Sequence, residues 1–312
     1  MPTYRPARFA AASFAALVVA MLATPFTSAA QKTFDTAAIE RITGLKGTLN
    51  EQEGVFKVTS PRTDVKITVD GFSMPPFMGL ASYAAFKPGR GSQLMVMGDT
   101  VLLEDEVNAV MTVALDAGLQ VTALHNHFFF EQPRVYFMHI GGEGEAPQLA
   151  EGVRKMYDKI KEIRAASKVG DKFAGAIGET SSISPAALDD IFGTRGERNN
   201  GMYKVVFGRT GRMHGVEVGK EMGLNTWAAF AGTDDQAVVD GDFAMLEDEL
   251  QPVLKSMRKN GINVVAIHQH MTHEQPRYLF LHYWGRGKAV DLARALKGTL
   301  DLQEKGGAGV KH

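Results

Sequence analysis

GDTVLLEDEVNAVMTVALDAGLQVTALHNHFFFEQPRVYFMHIGGEG (98–144) is written a second time as GDFAMLEDELQPVLKSMRKNGINVVAIHQHMTHEQPRYLFLHYWGRG (241–287). The offset is a constant 143 without gaps, and 20 of the 47 pairs are identical. An internal repeat of this length decides the architecture before any local pattern is read. Outward from it, MGLASYAAF (78–86) matches MGLNTWAAF (222–230), and Phe56-Lys57-Val58 matches Tyr203-Lys204-Val205. DTAAIERITGLKG (35–47) matches SPAALDDIFGTRG (184–196). The chain therefore reads as two homologous domains, 33–165 and 183–303, with a linker at 166–182 and a loose tail at 304–312.

Each copy carries the same order of elements. Asp35 and Ser184 are expected helix caps, with Pro185 at a first helical position. Strand-like runs fall near 55–60, 64–70, 81–87 and 92–98. LLEDEVNAVMTVALDAG has helical periodicity, an acidic first turn and a closing Gly118. LQVTALHNH and RVYFMHIGG read as two strands joined by FFFEQP, and APQLAEGVRKMYDKIKEI as an amphipathic helix. The pattern predicts an α+β fold, with an antiparallel sheet in each copy and helices on one face; a ferredoxin-like unit is one form of it.

Composition narrows the function. The 312 residues are 45% apolar and 22% charged, which suits a packed globular chain, and the net charge of -1 argues against nucleic acid as a partner. Arg5, Arg8, the apolar run Phe9–Leu22 and the small residues up to Ala30 predict an export signal over 1–30, cleaved near Ala30. That places the mature chain in the periplasm or outside the cell, with no transmembrane segment. Without Cys, the chain has neither disulfides nor thiolate ligands.

Six of the nine histidines sit at matching positions: His125, His127 and His139, then His268, His270 and His282. Alternate residues of a strand share a face, so each His-x-His pair points one way. An odd-with-odd hairpin register adds His139, Val121, Ala123 and Phe137 to that face; a bulge sends His139 to the other side. With Glu131 and Glu274, each hairpin holds three imidazoles and a carboxylate, a set suited to Zn, Fe, Mn or Cu. The spacing His-x-His-x-x-x-Glu also resembles, locally, the first metal motif of cupins. Glu131 and Glu274 are alternatively general bases beside a metal-bound water.

Further candidates flank the hairpins. Asp99 and Asp242 each follow a Gly at an expected strand end, whereas the Glu-Asp-Glu runs after them read as helix-start chemistry. Arg134, Arg277, Lys57 and Lys204 are candidate contacts for an anionic ligand, and Arg62 and Arg209 can pair with the acids. No nucleophile elbow or phosphate loop is present. Two other readings stand beside the metal site: a small polar or anionic ligand bound without metal, and buried His-Glu-Arg networks with a structural role only.

The doubled set GDxxLxEDE, ALHNH, ExPR and HxxGxG resembles the LppY/LpqO family of exported bacterial proteins over almost the whole mature chain. The resemblance implies tandem domains and export, and it points to His125, His127, Glu131, Arg134, His139 and their partners in copy two. It implies no defined activity. The lipid-modified Cys of lipoprotein members is absent here, so lipid anchoring is not implied.

Overall fold

Asp35 opens the first helix by accepting the Ala38 N–H at 2.8 Å, as its sequence position predicts. Gly44 closes that helix in the left-handed region, φ 72°, which a residue without Cβ adopts freely. This start belongs to a computed structural model that describes residues 34–166, 177–178 and 180–306, with side chains described to 303. The expected export signal and residues 307–312 lie outside the described residues, as does most of the linker. At the linker's end, Ser181 and Ser182 bond the Gly232 backbone.

Copy one runs α1 (Thr36–Thr43), β1 (Gly47–Asn50), β2 (Val55–Pro61), β3 (Thr68–Val69), β4 (Phe72–Ser73), β5 (Ala81–Pro88), β6 (Leu94–Leu103), α2 (Val107–Asp116), β7 (Gln120–His125), β8 (Glu131–Gln132), β9 (Val135–Gly144), α3 (Ala146–Ala165). Copy two repeats it as α4 (Pro185–Phe192), β10 (Glu197–Asn199), β11 (Met202–Gly208), β12 (Gly211–Met213), β13 (Val216–Val218), β14 (Asn225–Gly232), β15 (Ala237–Leu246), α5 (Leu250–Lys259), β16 (Asn263–His268), β17 (Glu274–Gln275), β18 (Tyr278–Gly287), α6 (Ala289–Gly306).

The α+β expectation holds, as mixed helix and antiparallel sheet. The copies share a single sheet of 12 strands, ordered β1-β2-β5-β6-β9-β7-β16-β18-β15-β14-β11-β10. They join where β7 meets β16, with Leu124 opposite Ile267. One face packs under the helices around a core that runs through both copies, including Val96, Met138, Val121, Leu124, Val264 and Ile267. The opposite face is open at its centre. Two small three-stranded sheets, β4-β3-β8 and β13-β12-β17, lie on this face over the cores at Phe137 and Phe280 on β9 and β18.

Several local readings change. The strand expected at 92–98 continues to Leu103, so Asp99 and Asp242 sit in mid-strand rather than at a strand end. The run expected at 64–70 is a two-residue strand in a small sheet. Helix α2 begins at Val107, so the Glu-Asp-Glu acids precede it. In copy two they form a short 3-10 turn. The tail read as loose from 304 is helical to Gly306.

The last of those acids bolts the strand end. Glu106 is fully buried, takes a bidentate pair from Arg62 at 2.7 and 3.0 Å, and accepts the Leu103 N–H at 2.7 Å. Arg164 adds a second cation at 2.8 Å. Copy two repeats the arrangement with Arg209, Glu249 and the Leu246 N–H, and Gln303 stands where a cation stood. Arg62 and Arg209 are thus scaffold, paired with acids.

The junction is held from the helical layer. β7 and β16 each carry a bulge, at 121–123 and 264–266. A bulge leaves an extra residue out of the ladder, here Thr122 and Val265, and the residue before each turns its backbone polar groups to a helix. Gln251 of α5 takes the Val121 N–H at 3.0 Å and donates to its C=O at 2.8 Å. Asn108 of α2 takes the Val264 N–H at 2.8 Å and donates to its C=O at 3.2 Å. Positions 108 and 251, and 121 and 264, are 143 apart, so each copy caps the other's bulge. An unmet buried backbone group costs about 1–3 kcal/mol. Asn108→Leu and Gln251→Leu should each lose that much in guanidinium unfolding; wild-type midpoints in both would refute the role given to these amides.

Candidate metal centre

The hairpin register decides which side chains meet. In copy one His125 lies opposite Phe137 and Ala123 opposite His139. On the next strand Asp99 lies opposite His139. The bulge falls before the imidazoles, so His125 and His139 share the open face, while Val121 turns into the helical core. Val121 therefore leaves the face on which an unbroken register places it. Copy two is the same: His268 opposite Phe280, Ala266 and Asp242 opposite His282, with the bulge before them.

His127 and His270 follow the strand and fold back flat onto Phe137 and Phe280, with ring centroids 3.4 and 3.6 Å apart. The His125 ring lies 5.1 Å from those of both His127 and His139. The His268 ring lies 5.1 Å from His270 and 4.7 Å from His282. Each repeat thus gathers three imidazoles and one aspartate on an aromatic floor.

In copy two, Asp242, His268 and His270 present donor atoms all within 4.8 Å of one another. His270 Nε2 is 2.9 Å from Asp242 Oδ2, and His268 Nε2 is 3.9 Å from Asp242 Oδ1. That second pair matters most: both atoms are buried and neither has a hydrogen-bond partner. Ligand bonds to zinc are about 2.0–2.2 Å. Two atoms on one ion can then stand roughly 4 Å apart, so the gap is of the size one ion bridges. In copy one Asp99 Oδ1 is likewise buried without a partner, and His139 Nε2 lies 4.0 Å from Asp99 Oδ2.

The outer ring nitrogens orient the set. His270 Nδ1 lies 3.2 Å from the Gly223 carbonyl and His282 Nδ1 lies 3.3 Å from the Gly241 carbonyl. A carbonyl only accepts, so these contacts put the proton on Nδ1 and leave Nε2 as a free lone pair, as in many metal-bound histidines. In His270 that lone pair faces a carboxylate oxygen, so either a proton or a cation belongs between them. Burial pushes His268 below the usual imidazole range, and burial with the neighbouring imidazoles does the same to His127. Burial raises the Asp242 carboxyl, against the pull of the three histidines. Neutral imidazoles are the ligand form.

Other candidates stand elsewhere. The carboxylate beside the imidazoles is the aspartate, while Glu274 turns into the hairpin and accepts the Tyr278 N–H at 3.1 Å. Glu131 lies in β8, paired with Val69 of a small sheet. Arg134 and Arg277 are exposed, and Arg134 interacts with Tyr136, which packs on the helical side. Lys57 and Lys204 lie on the open face, over the rings of Tyr83 and Trp227. The Gly223 and Gly241 carbonyls had no sequence signal beyond retained glycines.

One step either side of the Leu124–Ile267 pair sets Ala123 beside His268 and His125 beside Ala266. The two sets therefore flank one local two-fold axis on a common face. Their centres are about three strand spacings apart, roughly 14 Å, too far to share one ion.

Two segments, 37–159 and 186–302, match the profile of a family described as Domain of Unknown Function (DUF1259), and the chain belongs to that family. No curated protein matches it. Among solved structures, a trimeric bacterial microcompartment shell protein, PduB, is similar at 10% identity and a TM-score of 0.19, over 83% of this chain and 93% of the other. Among the described residues no helix is long and apolar enough to cross a membrane.

A residue kept for a ligand behaves unlike a scaffold residue. In metal-free protein Asp242→Asn removes a desolvated charge and should unfold at the wild-type denaturant concentration or higher. Glu249→Gln should lose about 2 kcal/mol, because its charge-assisted hydrogen bonds weaken. A severe loss in Asp242→Asn would make it structural and remove the case for a site.

Proposed function

For this member of the DUF1259 family we propose an exported divalent-metal-binding protein, with one Asp/His₃ set per repeat: Asp99, His125, His127 and His139, and Asp242, His268, His270 and His282. One observation carries the reading. Asp242 Oδ1 and His268 Nε2 face each other at 3.9 Å, both buried and both without partners. Buried polar atoms are almost always satisfied, so such a pair calls for an unseen partner. The donor set of imidazole and carboxylate suits Zn, Fe, Mn or Cu.

The structural-network reading fits other residues. Arg62 and Glu106 are buried and densely paired, which is what a scaffold needs. The His/Asp sets are under-paired and sit on an open face. A bound ion would act as a Lewis acid or redox centre toward a molecule reaching that face. The reading covers a metal-dependent enzyme and a metal carrier alike. The chain's own groups favour the neutral form of His127 and His268, set the outer nitrogens of His270 and His282 against carbonyls and back His127 and His270 with Phe137 and Phe280. Export is supported by the charged and apolar pattern of residues 5–30 and by the resemblance to the LppY/LpqO proteins.

The protein, expressed in an exporting host without a His-tag, should have a mature mass that begins at Gln31. It should carry close to two metal ions per chain by elemental mass spectrometry. His125→Ala/His127→Ala and His268→Ala/His270→Ala should each retain one. Absence of metal in the wild type, with none regained from added Zn, Fe, Mn or Cu, ends this reading.

A further inference from the structure

Each metal set has an ammonium group beside it that the set itself does not use. Lys57 Nζ lies 3.9 Å from the centre of the Tyr83 ring, and Lys204 Nζ lies 4.4 Å from the Trp227 ring. Tyr83 is the cross-strand partner of Asp99, and Trp227 of Asp242. The order lysine, aromatic ring, aspartate, histidine therefore runs across the open face in both repeats. Both lysines are exposed, and among the described residues neither forms an ion pair with a carboxylate. Glu197, directly across from Lys204, makes no ion pair with it either.

Copy two adds a cavity of about 370 Å³ that joins this lysine to the metal set. Lys204, Lys220, Trp227, Asn225 and His270 line it, together with the carboxylates of Glu197 and Glu221. Lys220 is held by Glu221 at 3.3 Å, which leaves Lys204 as the uncommitted cation. The aligned positions of copy one are Pro76 for Lys220 and Ala81 for Asn225, which carry no side-chain donors.

We propose that Lys57 and Lys204 complete anion subsites, at which a small carboxylate- or phosphate-bearing molecule is held between the ammonium group and the ion bound by the neighbouring Asp/His₃ set. This rests on the metal reading and deepens it. An aspartate and a divalent ion leave one positive charge and the lysine adds a second; in copy two the Lys220–Glu221 pair is neutral and Glu197 subtracts one, so the surplus stays positive. An oxyanion has the charge and the two oxygens to meet both. The aromatic ring under the ammonium gives the ligand an apolar wall, as small-molecule sites commonly do. The cavity makes copy two the tighter of the pair.

The test is calorimetric titration of zinc-loaded protein with inorganic phosphate and, separately, benzoate, after zinc content has been measured. The wild type should bind at least one of them; which one identifies the ligand's anionic group. Lys57→Met/Lys204→Met keeps the stems over the rings and should keep two zinc ions, yet lose tenfold or more in anion affinity. Lys57→Arg/Lys204→Arg should restore much of it. Equal affinity in the Met variant, equal affinity in zinc-free protein, or no binding of either anion to zinc-loaded wild type overturns the proposal. Loss of zinc in the Met variant does so too, because the lysines would then support the metal rather than the ligand. A wild type that takes up no zinc is a different failure, seen before any anion is added, and it belongs to the metal reading.

Discussion

The amides of Asn108 and Gln251 each bond the N–H and the C=O of one bulged residue in the opposite repeat. Both consequences of the duplication pass through these four bonds. β7 and β16 end the sheet of their own copy, and an unpaired edge invites association with another chain. Here each edge is consumed by its twin. A bulge on either strand alone would strand polar backbone against a helical layer. Supplied in trans, the amides make each repeat the other's missing partner, and the 12-stranded sheet follows.

The same bulges couple core to site. Side chains alternate along a strand, so one extra residue exchanges the faces of everything beyond it. Val121 enters the helical core, and two residues on Ala123 faces the open side with His125. Without the extra residue, a Val121 buried among the helices would carry His125 to that same face, away from His139 and Asp99. The core's demand for Val121 and the site's demand for His125 are met only with the bulge in place.

Much of this was legible in the sequence and some was not, for definite reasons. The 143-residue offset marks the histidines, the two copies and most elements, because local patterns repeat with the repeat. The carboxylate that stands beside the histidines is less legible. Glu131 is six residues from His125, inviting a local motif, but its loop turns it into a small sheet beside Val69. Asp99 is 40 residues from His139 and reaches it only through strand pairing of β6 with β9. Strand register is non-local, so a single sequence marks Asp99 only as a retained Gly-Asp step. The bulge, the β7–β16 junction and the amide exchange are non-local in the same way. Asn108 and Gln251 are also similar rather than identical, and so drop out of an identity count.

The two halves divide their acidic residues between opposite tasks. Glu106 and Glu249 sit where each oxygen finds donors: Arg62 and the Leu103 N–H in one copy, beside the Arg164 ion pair, and Arg209, Gln303 and the Leu246 N–H in the other. A carboxylate satisfied in this way fixes structure and has nothing left to offer a ligand. Asp99 and Asp242 are placed among imidazoles, with one oxygen each left without a partner. Folding alone gives little return for burying such an oxygen, since its own desolvation is met by no hydrogen bond. Proteins break local rules of this kind mainly at functional sites. The same carboxylate chemistry is fully satisfied in one place and left with an unpaired oxygen 7 residues earlier, in both copies, and that contrast is what supports the site proposed on the open face of the sheet.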